Sequence, residues 1–518
     1  MANSGSRRER RQQKKLAKKS GGGQAADIGA VLEGALADQQ AGRLDEAEQA
    51  YRQALSQDPK AFVAHVNLGV VLHDQGRLED AAESFDNALA INPDVAEVHY
   101  GLGLVLQDRD EKADAEAAFR RAVEINPDYA EALNGLAIAL EKQGHREQAA
   151  ATFERALTAD PGFAEAHNNL GNLQHRHGNL EEALAAFRRA IEINPEYAEA
   201  HRNLSHVLLL AGRLDEGWKE FRWRWRCRDF PSATRPFPQP PWTGEPVDGK
   251  TVLVWGEQGV GDEVHFAAMV PDLIDAGAKV VLECEHRLAP LFGRSFPEAK
   301  CVALENPPAA ETMGDDIYFQ VPSGNLGQWL RPDLDSFPDR VSYLVADEDR
   351  VAELKDRYRD GTGDRLVGIA WISKNPEIGK DKSMALADWR PLTEIEGIRF
   401  VDLQYGDTAD ERAEFERETG TLIIHDDAID QMADVDAFAA QVAAMDLVIS
   451  VSNTTVHLSG ALGVPTWVLL NTLPLCVWMA EGEDSPWYPS LRLIRQSEAG
   501  EWADVIGRVV VALEDFRR

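Results

Sequence analysis

The stretch VLVWGEQGVGDEVHF, from Val252 to Phe266, joins an apolar run to a glycine-rich turn and then to a helical pattern. Such a turn, where a strand meets the start of a helix, is a place where phosphate groups bind in nucleotide-binding folds. The sequence GVGDEV lacks the G-K-[ST] of a P-loop, and Val264 stands where a dinucleotide fingerprint needs its third glycine. The stretch therefore matches neither of these two phosphate motifs.

Apolar runs alternate with helical patterns from Lys250 onward. A first series comprises TVLVWG, KVVLEC, KCVAL and DIYFQV, and a second comprises LVGIAW, IRFVDLQ, TLIIHD, LVISVS and PTWVLL. Strands that alternate with helices predict parallel sheets, and two series predict two lobes that face a cleft. The predicted lobes span residues 250–360 and 361–518.

Two runs in this region resemble a known family. GDEVH, from Gly261 to His265, follows the first predicted strand, and LVISVSNTTVHLSGALGVPTWVLL, from Leu447 to Leu470, joins a strand, a turn and a helix. Both resemble the heptosyltransferase-like glycosyltransferases, which have the GT-B fold of two Rossmann-like lobes. DSPWYPSLRLIRQ, which begins at Asp484, resembles the tail of bacterial proteins that join tetratricopeptide repeats to this domain. The resemblance implies an inverting, metal-independent transfer, with the acceptor on the first lobe and the nucleotide-sugar on the second.

The resemblance also implies that Asp262 is the catalytic base and that His265 lies on the acceptor side. An unperturbed aspartate titrates near about 3.9, so partial burial would be needed to raise its pKa toward neutrality. The alternative is that Asp262 is the N-cap of a helix beginning at Glu263, and both roles are compatible.

Backbone N–H groups at the start of the predicted helix in SNTTVHLSGALG suit a pyrophosphate, and Asn453 or Thr454 is the expected N-cap. The lysines of WISKNPEIGKDKS either neutralise the leaving diphosphate or lie in a solvated loop. His457 is either a helix–sheet contact or a donor ligand. The predicted donor or phosphate ligands are Gly259, Gly261, Lys374, Lys380, Lys382, Gln404, Asn453, Thr454, Thr455, His457 and Gly460.

The chain departs from the resembled family at two places. Ser452 stands where related domains usually have aspartate, and SKNPEIGKDKS replaces a G-N-P-x-H-x-N-D-R run. These departures indicate either a different sugar or a domain that binds a donor without turnover.

Internal repetition dominates the N-terminal part. Prolines recur every 34 residues, as do an aromatic residue and an alanine before each of them; the prolines are Pro59, Pro93, Pro127, Pro161 and Pro195. This period predicts six tetratricopeptide repeats, each a pair of helices, over residues 27–226. The turn within each pair has a glycine at Gly42, Gly76, Gly144, Gly178 and Gly212. Asp110 replaces it in the third unit, which predicts a looser turn there.

Repeat arrays of this kind usually bind a peptide or protein in a concave groove. The array resembles the superhelix of O-GlcNAc transferases, where asparagines of the inner face hold the backbone of an extended substrate, although the histidine-proline motifs of those enzymes are absent. The corresponding candidates for acceptor binding are Asn67, Asn134, Asn168, Asn169 and Asn203. The alternative is that these asparagines cap helices or pair between them.

The repeats end in EFRWRWRCRDF, in which Phe221 and Trp225 share one helical face. We predict a capping helix that packs on the next domain with its arginines pointing outward; the alternative is that the aromatic rings stack on nucleotides. The prolines of residues 227–249 predict a stiff linker.

Composition limits the function classes. The 518 residues contain 54 Lys and Arg against 87 Asp and Glu, a net charge of −33, which argues against a nucleic-acid-binding body. Residues 1–26 are basic instead; they either bind an acidic partner, nucleic acid or an anionic membrane, or form a solvated leader that aids solubility. The four cysteines lack metal-ligand spacing and suit a reducing compartment, and the sequence predicts no transmembrane segment.

Together these features predict a cytoplasmic bacterial protein O-glycosyltransferase with no cofactor other than its nucleotide-sugar substrate and with no metal. The repeats would hold the acceptor, and flagellin is the first candidate because flagellin-modifying transferases share this order of domains. The alternatives are a scaffold with a degenerate transferase domain and a transferase that acts on a lipid-linked or surface glycan.

Overall fold

The computed structural model describes residues 25–375 and 379–517. The predicted basic tail, apart from residues 25 and 26, lies outside the described residues. Contacts within the chain divide it into two compact units, residues 1–197 and 198–518.

The described part of the first unit is all helical. Successive helices pack as antiparallel pairs, α1 with α2, α3 with α4, and onward to α9 with α10. Helices α1 to α10 span Ala25–Gln40, Leu44–Gln57, Phe62–Asp74, Leu78–Ile91, Ala96–Asp108, Lys112–Ile125, Ala130–Lys142, Arg146–Ala159, Ala164–Arg176 and Leu180–Ile193.

The repeated phenylalanine fills the space between neighbouring pairs. Phe85 is buried between Gly69 and Gly101, and a Cβ on either glycine would lie only 2.9 or 2.8 Å from its ring. Phe119 is enclosed in the same way by glycines of α5 and α7. The small residues are therefore required for the close approach of helices, as the sequence predicts.

The turn within each pair requires a left-handed backbone conformation. The five turn glycines have φ between 73° and 82°, which costs glycine little. Asp110 adopts the same conformation, with φ of 58°, and its turn keeps the hydrogen bond from Glu111 N to Leu106 O at 2.9 Å. The predicted looser turn is therefore wrong, because aspartate tolerates this conformation better than most residues do.

The second unit begins with the last helix pair, α11 (Ala198–Leu210) and α12 (Leu214–Phe221), followed by a 3₁₀ helix over Arg222–Arg226. The indole N–H of Trp218 donates to the carbonyl of Arg331 at 2.9 Å, and its ring lies against Gly327. The predicted capping helix is confirmed. The predicted boundary at residue 226 thus falls inside this unit.

One arginine of the capping helix is oriented differently from the prediction. Arg224 is 2% exposed and points inward to Glu257, so the expectation that the arginines all point outward is wrong. Its neighbours follow the expectation, since Arg222 and Arg226 are exposed.

Residues 227–249 pack on the sheet that follows them. Trp242 is buried, and its backbone N–H donates to the carbonyl of Gln320 at 2.8 Å. The backbone N–H of Gln320 in turn donates to the carbonyl of Pro240 at 3.0 Å. Proline carbonyls can accept hydrogen bonds even though proline nitrogens cannot donate, so a proline-rich segment can still join a sheet edge. The segment is therefore part of the folded unit and is not the stiff linker between domains that the sequence predicts.

The first sheet has four parallel strands in the order β3-β2-β1-β4. They span Thr251–Trp255 (β1), Lys279–Cys284 (β2), Lys300–Ala303 (β3) and Ile317–Pro322 (β4). All four lie where the sequence predicts them. The helices of this region are α13 (Val260–Ala267), α14 (Val270–Asp275), α15 (Ala289–Ser295) and α16 (Gly327–Leu330).

The second sheet has six parallel strands in the order β10-β9-β8-β5-β6-β7. Strands β5 to β9 match the five predicted runs and span Arg365–Ala370, Ile398–Asp402, Ile423–Ile424, Leu447–Val451 and Thr466–Leu470. Strand β10, Leu491–Arg495, was not among the predicted strands. Leu491 and Leu493 are buried on one face of the strand and Ile494 on the other, but Arg492 and Arg495 break the apolar run.

Helices cover the second sheet on both faces. They are α17 (Glu348–Arg359), α18 (Gly379–Lys382), α19 (Ala409–Thr419), α20 (Val435–Ala443), α21 (Thr454–Ala461) and α22 (Trp502–Phe516). Because α17 contacts α20 and β5, it belongs with the second sheet although it precedes the predicted lobe boundary at residue 360. Across the described ranges, no helix combines the length and the apolar character needed to cross a bilayer.

Candidate functional site

The turn between β1 and α13 forms the first side of the site. The helix begins at Val260, and the backbone N–H of Gly259 donates to Oδ2 of Asp262 at 3.3 Å. Asp262 is therefore the third residue of the helix and stabilises its first turn. The alternative of an N-cap for a helix beginning at Glu263 is wrong, because the helix begins three residues earlier.

The carboxyl group of Asp262 is partly exposed, and its pKa is raised to about 6. Burial is the main cause, because it disfavours the ionised form. The N–H of Gly259 and the ammonium of Lys382 lower this pKa, whereas the carboxylate of Glu257 raises it. A carboxyl group with this pKa is largely ionised at neutral pH and still basic enough to accept a proton during a reaction.

Lys382, at the end of α18 beside the second sheet, is the charged partner of this acid. It is 5% exposed, and burial lowers the pKa of its ammonium to about 8, although the Asp262 carboxylate acts in the opposite direction. Lys382 forms no hydrogen bond or ion pair with any residue in the ranges 25–375 and 379–517. A buried ammonium without such a partner is costly, so an anionic ligand here would be stabilising.

The other two predicted lysines lie differently. Lys374 is exposed, and its ammonium is 5.8 Å from the centroid of the Tyr405 ring. Lys380 is also exposed. Residues 376–378 of the same loop lie outside the described residues. Of the three lysines, only Lys382 is buried and electrostatically coupled to Asp262.

The N-terminus of α21 forms the opposite side of the site. Asn453 is the N-cap, as one of the two predicted alternatives has it, and its side-chain oxygen accepts the N–H of Thr455 at 3.0 Å. Thr454 is partly exposed, and its Oγ1 would lie 3.3 Å from a Cβ added to Gly261. The first turns of α13 and α21 are therefore in contact, and the absence of a side chain at Gly261 permits this approach.

Two predicted donor ligands are engaged with the protein backbone. The side-chain oxygen of Gln404 is buried and accepts the N–H groups of Trp371 and Ile372, at 3.0 and 2.7 Å. The hydroxyl of Thr455 is buried and donates to the carbonyl of Leu403 at 3.4 Å. These side chains hold the carboxyl ends of β5 and β6 together beside the site.

Three predicted residues meet at one tyrosine. Nδ1 of His265 and Nδ1 of His457 lie 3.1 and 2.9 Å from the hydroxyl of Tyr488. A Cβ on Gly460 would lie 2.6 Å from the same tyrosine ring, so Gly460 permits close packing and does not line an open cleft. The structure thus brings these residues together directly beneath the contact between α13 and α21.

Ser452, which replaces the aspartate of the resembled family, is buried. Its hydroxyl accepts the indole N–H of Trp478 at 2.9 Å. This residue therefore supports the wall of the site and offers no carboxylate to a ligand.

The repeat asparagines are not equivalent to one another. In the first unit, Nδ2 of Asn169 donates to Oδ1 of Asn134 at 3.0 Å, which fits the alternative that these residues pair between helices. Asn67 and Asn168 are both buried, at 5% exposure each. Asn203, on α11, is partly exposed and belongs to the second unit.

Several residues of this site are not among the candidates that the sequence predicts. Glu257 influences the pKa of Asp262, and its position directly after the β1 run is the signal that could have identified it. Tyr488 belongs to the DSPWYP motif, in which nothing indicates its contact with the two histidines. Cys476 lies near Asp262. Burial raises the pKa of its thiol to about 12, and the Asp262 carboxylate acts in the same direction. No pattern in the sequence indicates that Cys476 belongs to the site.

A separate groove of about 500 Å³ runs along β7 and is lined by arginines. Arg412 pairs with the buried Asp402 at 3.1 Å, and Arg357 pairs with Asp426. Because carboxylates of the protein already neutralise these two arginines, the groove offers less to a diphosphate than the surroundings of Lys382 do.

Sequence comparison identifies the helical part. The sequence model of the tetratricopeptide repeat matches residues 32–96, 74–130, 100–162, 134–198 and 178–221. The N-terminal part therefore consists of tetratricopeptide repeats, followed by a region of parallel sheets.

Among curated proteins, the chain is similar to Protein FlbA of Caulobacter vibrioides (strain ATCC 19089 / CIP 103742 / CB 15). The two are 36% identical over 293 residues, which are 53% of this chain and 48% of FlbA. The chain thus spans about half the length of this relative.

Among solved structures, MamA is 29% identical with a TM-score of 0.29 and covers 32% of this chain and 96% of its own. YrrB, described as a TPR protein with an unusual peptide-binding site, is 28% identical with a TM-score of 0.29. It covers 33% of this chain and 88% of its own.

Proposed function

We propose that this protein is a glycosyltransferase that moves a sugar from a nucleotide-sugar to a serine or threonine hydroxyl of a protein. In this proposal the two parallel sheets are the lobes of a GT-B fold. The acceptor oxygen attacks the anomeric carbon, Asp262 takes the proton of the hydroxyl, and the nucleoside diphosphate leaves. The anomeric configuration is inverted, because the bond forms on the face opposite to the leaving group.

The observation that carries the proposal is the electrostatic interaction between Asp262, which follows the first sheet's β1, and Lys382, which lies beside the second sheet. The first supplies a partly exposed carboxyl group with a pKa of about 6, and the second supplies a buried ammonium that has no hydrogen bond or ion pair within residues 25–375 and 379–517. A general base must be near its pKa at the working pH, and a leaving diphosphate needs positive charge. Both requirements are met by residues that influence each other electrostatically.

The N-terminus of α21 supports the same assignment. Its N-cap is Asn453, and Thr454 lies partly exposed in the first turn, opposite α13. Backbone N–H groups and the helix dipole at such a position favour a bound phosphate. The diphosphate would therefore lie between this turn and Lys382, with its sugar toward Asp262.

Tetratricopeptide repeats bind peptides or proteins, which supports a polypeptide as the acceptor. Flagellin is the acceptor that we propose first, on the order of domains shared with flagellin-modifying transferases. The similarity to FlbA covers about half of that protein.

The decisive experiment has two arms. The purified chain is titrated with a panel of nucleotide-sugars, and flagellin co-expressed with the chain is measured by intact mass spectrometry. A mass increase that disappears in Asp262→Ala, while nucleotide-sugar binding persists, supports the proposal. Modification of a glycan in place of protein would select the glycan-directed alternative.

One observation favours a second candidate function, a scaffold whose transferase region has lost catalysis. Ser452 replaces a carboxylate of the resembled family and accepts the indole N–H of Trp478, so this position offers no negative charge to a reacting group. Under this alternative, the chain binds a nucleotide-sugar and a protein partner, but the mass of the partner never changes.

A further inference from the structure

Tyr488, in the DSPWYP segment before β10, has no part in the proposed transfer, yet it contacts both histidines of the site. Its hydroxyl lies 3.1 Å from Nδ1 of His265 on α13 and 2.9 Å from Nδ1 of His457 on α21. Tyr488 and His265 are buried, whereas His457 is partly exposed. One hydroxyl group therefore joins the helix that carries Asp262 to the helix that begins at Thr454.

A tyrosine hydroxyl has a single proton. It can donate that proton to one imidazole nitrogen, and it must then accept a proton from the other. Two neutral histidines that share one hydroxyl through Nδ1 consequently adopt opposite tautomers. One ring has its N–H at Nε2, and the other has a lone pair at Nε2.

The surroundings keep both rings neutral and fixed. Burial lowers the pKa of His265 and His457, and Lys382 lowers the pKa of His457 further. The His457 ring stacks on Trp478 with centroids 5.3 Å apart, and the His265 ring lies 4.2 Å from that of Trp487.

A second hydroxyl lies near this group but is engaged elsewhere. The hydroxyl of Tyr343 donates to the backbone carbonyl of Val264 at 2.8 Å. It therefore does not supply a proton to either histidine.

We propose that Tyr488 is a positioning residue that sets the two histidines in opposite tautomers, with the N–H at Nε2 of His457 and the lone pair at Nε2 of His265. Donation of the hydroxyl proton to His457 fits the shorter of the two distances, because O–H donors form shorter hydrogen bonds than N–H donors. Each histidine then presents a defined group to the site.

This arrangement has a consequence for transfer, which rests on the proposed function. His457 offers an N–H donor on the helix whose N-terminus faces the diphosphate, and His265 offers an acceptor on the helix of the base. If the tyrosine hydroxyl is removed, both rings lose the partner that fixes them. Helices α13 and α21 then lose the hydroxyl group that joins His265 to His457.

The tautomers are tested by NMR of the full chain labelled with [¹⁵N]histidine. The chain has 13 histidines, so His265→Gln and His457→Gln serve to assign the two signals. We expect Nδ1 to be unprotonated in His457 and protonated in His265, and we expect Tyr488→Phe to abolish this pattern. The control is Tyr358→Phe, which removes a buried tyrosine hydroxyl that hydrogen-bonds Asp426 and contacts neither histidine, so it should leave the pattern unchanged. Identical tautomers in the two rings would overturn the inference.

Kinetics separate the inference from the proposed function. Tyr488→Phe should lower kcat by between about tenfold and a hundredfold, because a small misplacement of reacting groups has effects of that size. The KM for the nucleotide-sugar should stay within about twofold, since the ligands of the donor remain. An unchanged kcat would contradict the role in transfer. If the unaltered chain transfers no sugar at all, the proposed function fails, and the NMR pattern still decides the role of Tyr488.

Discussion

Arg224 and Glu257 form a buried ion pair in which Arg224 Nε and Nη2 lie 2.7 and 2.5 Å from the two carboxylate oxygens. The carboxylate also accepts the N–H of Gly324 at 2.9 Å. The Glu257 carboxylate, just after β1, thus hydrogen-bonds both the capping segment of the repeats and the turn after β4. Glu257 lies next to the glycine turn of the site, so its ion pair with Arg224 also fixes the start of α13.

Removal of this arginine should strongly destabilise the second unit. Arg224→Ala leaves the Glu257 carboxylate buried without its counterion, and breaking such a pair costs about 3 to 5 kcal/mol. Denaturant unfolding followed by tryptophan fluorescence would measure the loss. Arg222→Ala is the matched control, because Arg222 is exposed in the same 3₁₀ helix and should change stability by less than about 0.5 kcal/mol. Equal losses in the two variants would contradict this account of the pair.

A methyl group at Gly460 should displace the tyrosine beneath the site. Its Cβ would lie 2.6 Å from the ring of Tyr488, and overpacking of this kind costs about 1 to 3 kcal/mol. Gly507→Ala is the control, since Gly507 lies in α22 with no atom within 4 Å of the added Cβ. That substitution should stabilise the chain by up to about 1 kcal/mol. Thermal unfolding of both variants compares the two effects, and a stabilised Gly460→Ala chain would show that the tyrosine packs elsewhere.

Glu263 should make stability depend on pH. Burial is the main reason that the pKa of Glu263 is raised from 4.5 to about 8. The hydrogen bond from Glu285 N–H lowers this pKa, and the nearby carboxylates raise it. Between these values the folded chain holds a proton that the unfolded chain has released, so this contribution to the free energy of unfolding falls as pH rises. The fall should be on the order of a few kcal/mol.

Glu263→Gln removes the titrating proton and keeps an oxygen to accept the N–H of Glu285. We expect the free energy of unfolding of this variant to decline less between pH 5 and pH 8 than that of the unaltered chain. Glu298→Gln is the control, because Glu298 is exposed and should leave the slope unchanged. Parallel slopes for all three proteins would mean that Glu263 does not hold a proton in the folded state.

If the chain transfers sugar as proposed, its rate should follow the two charged groups of the site. Activity should rise as pH increases through about 6, where Asp262 becomes ionised, and fall above about 8, where Lys382 loses its proton. Steady-state rates across this range test both limbs. Lys382→Met should lower the rate and remove the decline in activity above about pH 8. Lys380→Met, which changes an exposed residue, should leave that decline in place. An alkaline limb that survives in Lys382→Met would assign that limb to another group.

The periodic features of the fold could be predicted from the sequence. The 34-residue spacing of Pro59 and its counterparts defines the helix pairs, and nine apolar runs coincide with strands β1 to β9. Buried parallel strands are apolar on both faces, so they stand out as uninterrupted runs. Strand β10 does not form an uninterrupted apolar run, because it contains Arg492 and Arg495.

Much of the site depends on contacts between distant segments, and these are not visible in the sequence. Lys382 and Lys380 have the same residue type two positions apart, and only the folded chain shows that one is buried and the other exposed. Gln404 had the right position at the end of a strand, but its oxygen is occupied by backbone N–H groups. Tyr488 lies 223 residues from His265, and no local pattern indicates that they meet.

The contact between Trp242 and Gln320 determines where the chain can be cut. A fragment that begins at Lys250, where the composition changes, would lack the segment around Trp242 that covers the outer edge of β4. The exposed edge strand could then pair with the same strand of other copies. Such a fragment should precipitate or form oligomers on expression. A fragment that begins at Ala198 keeps that edge covered and should be the shorter form that remains monodisperse.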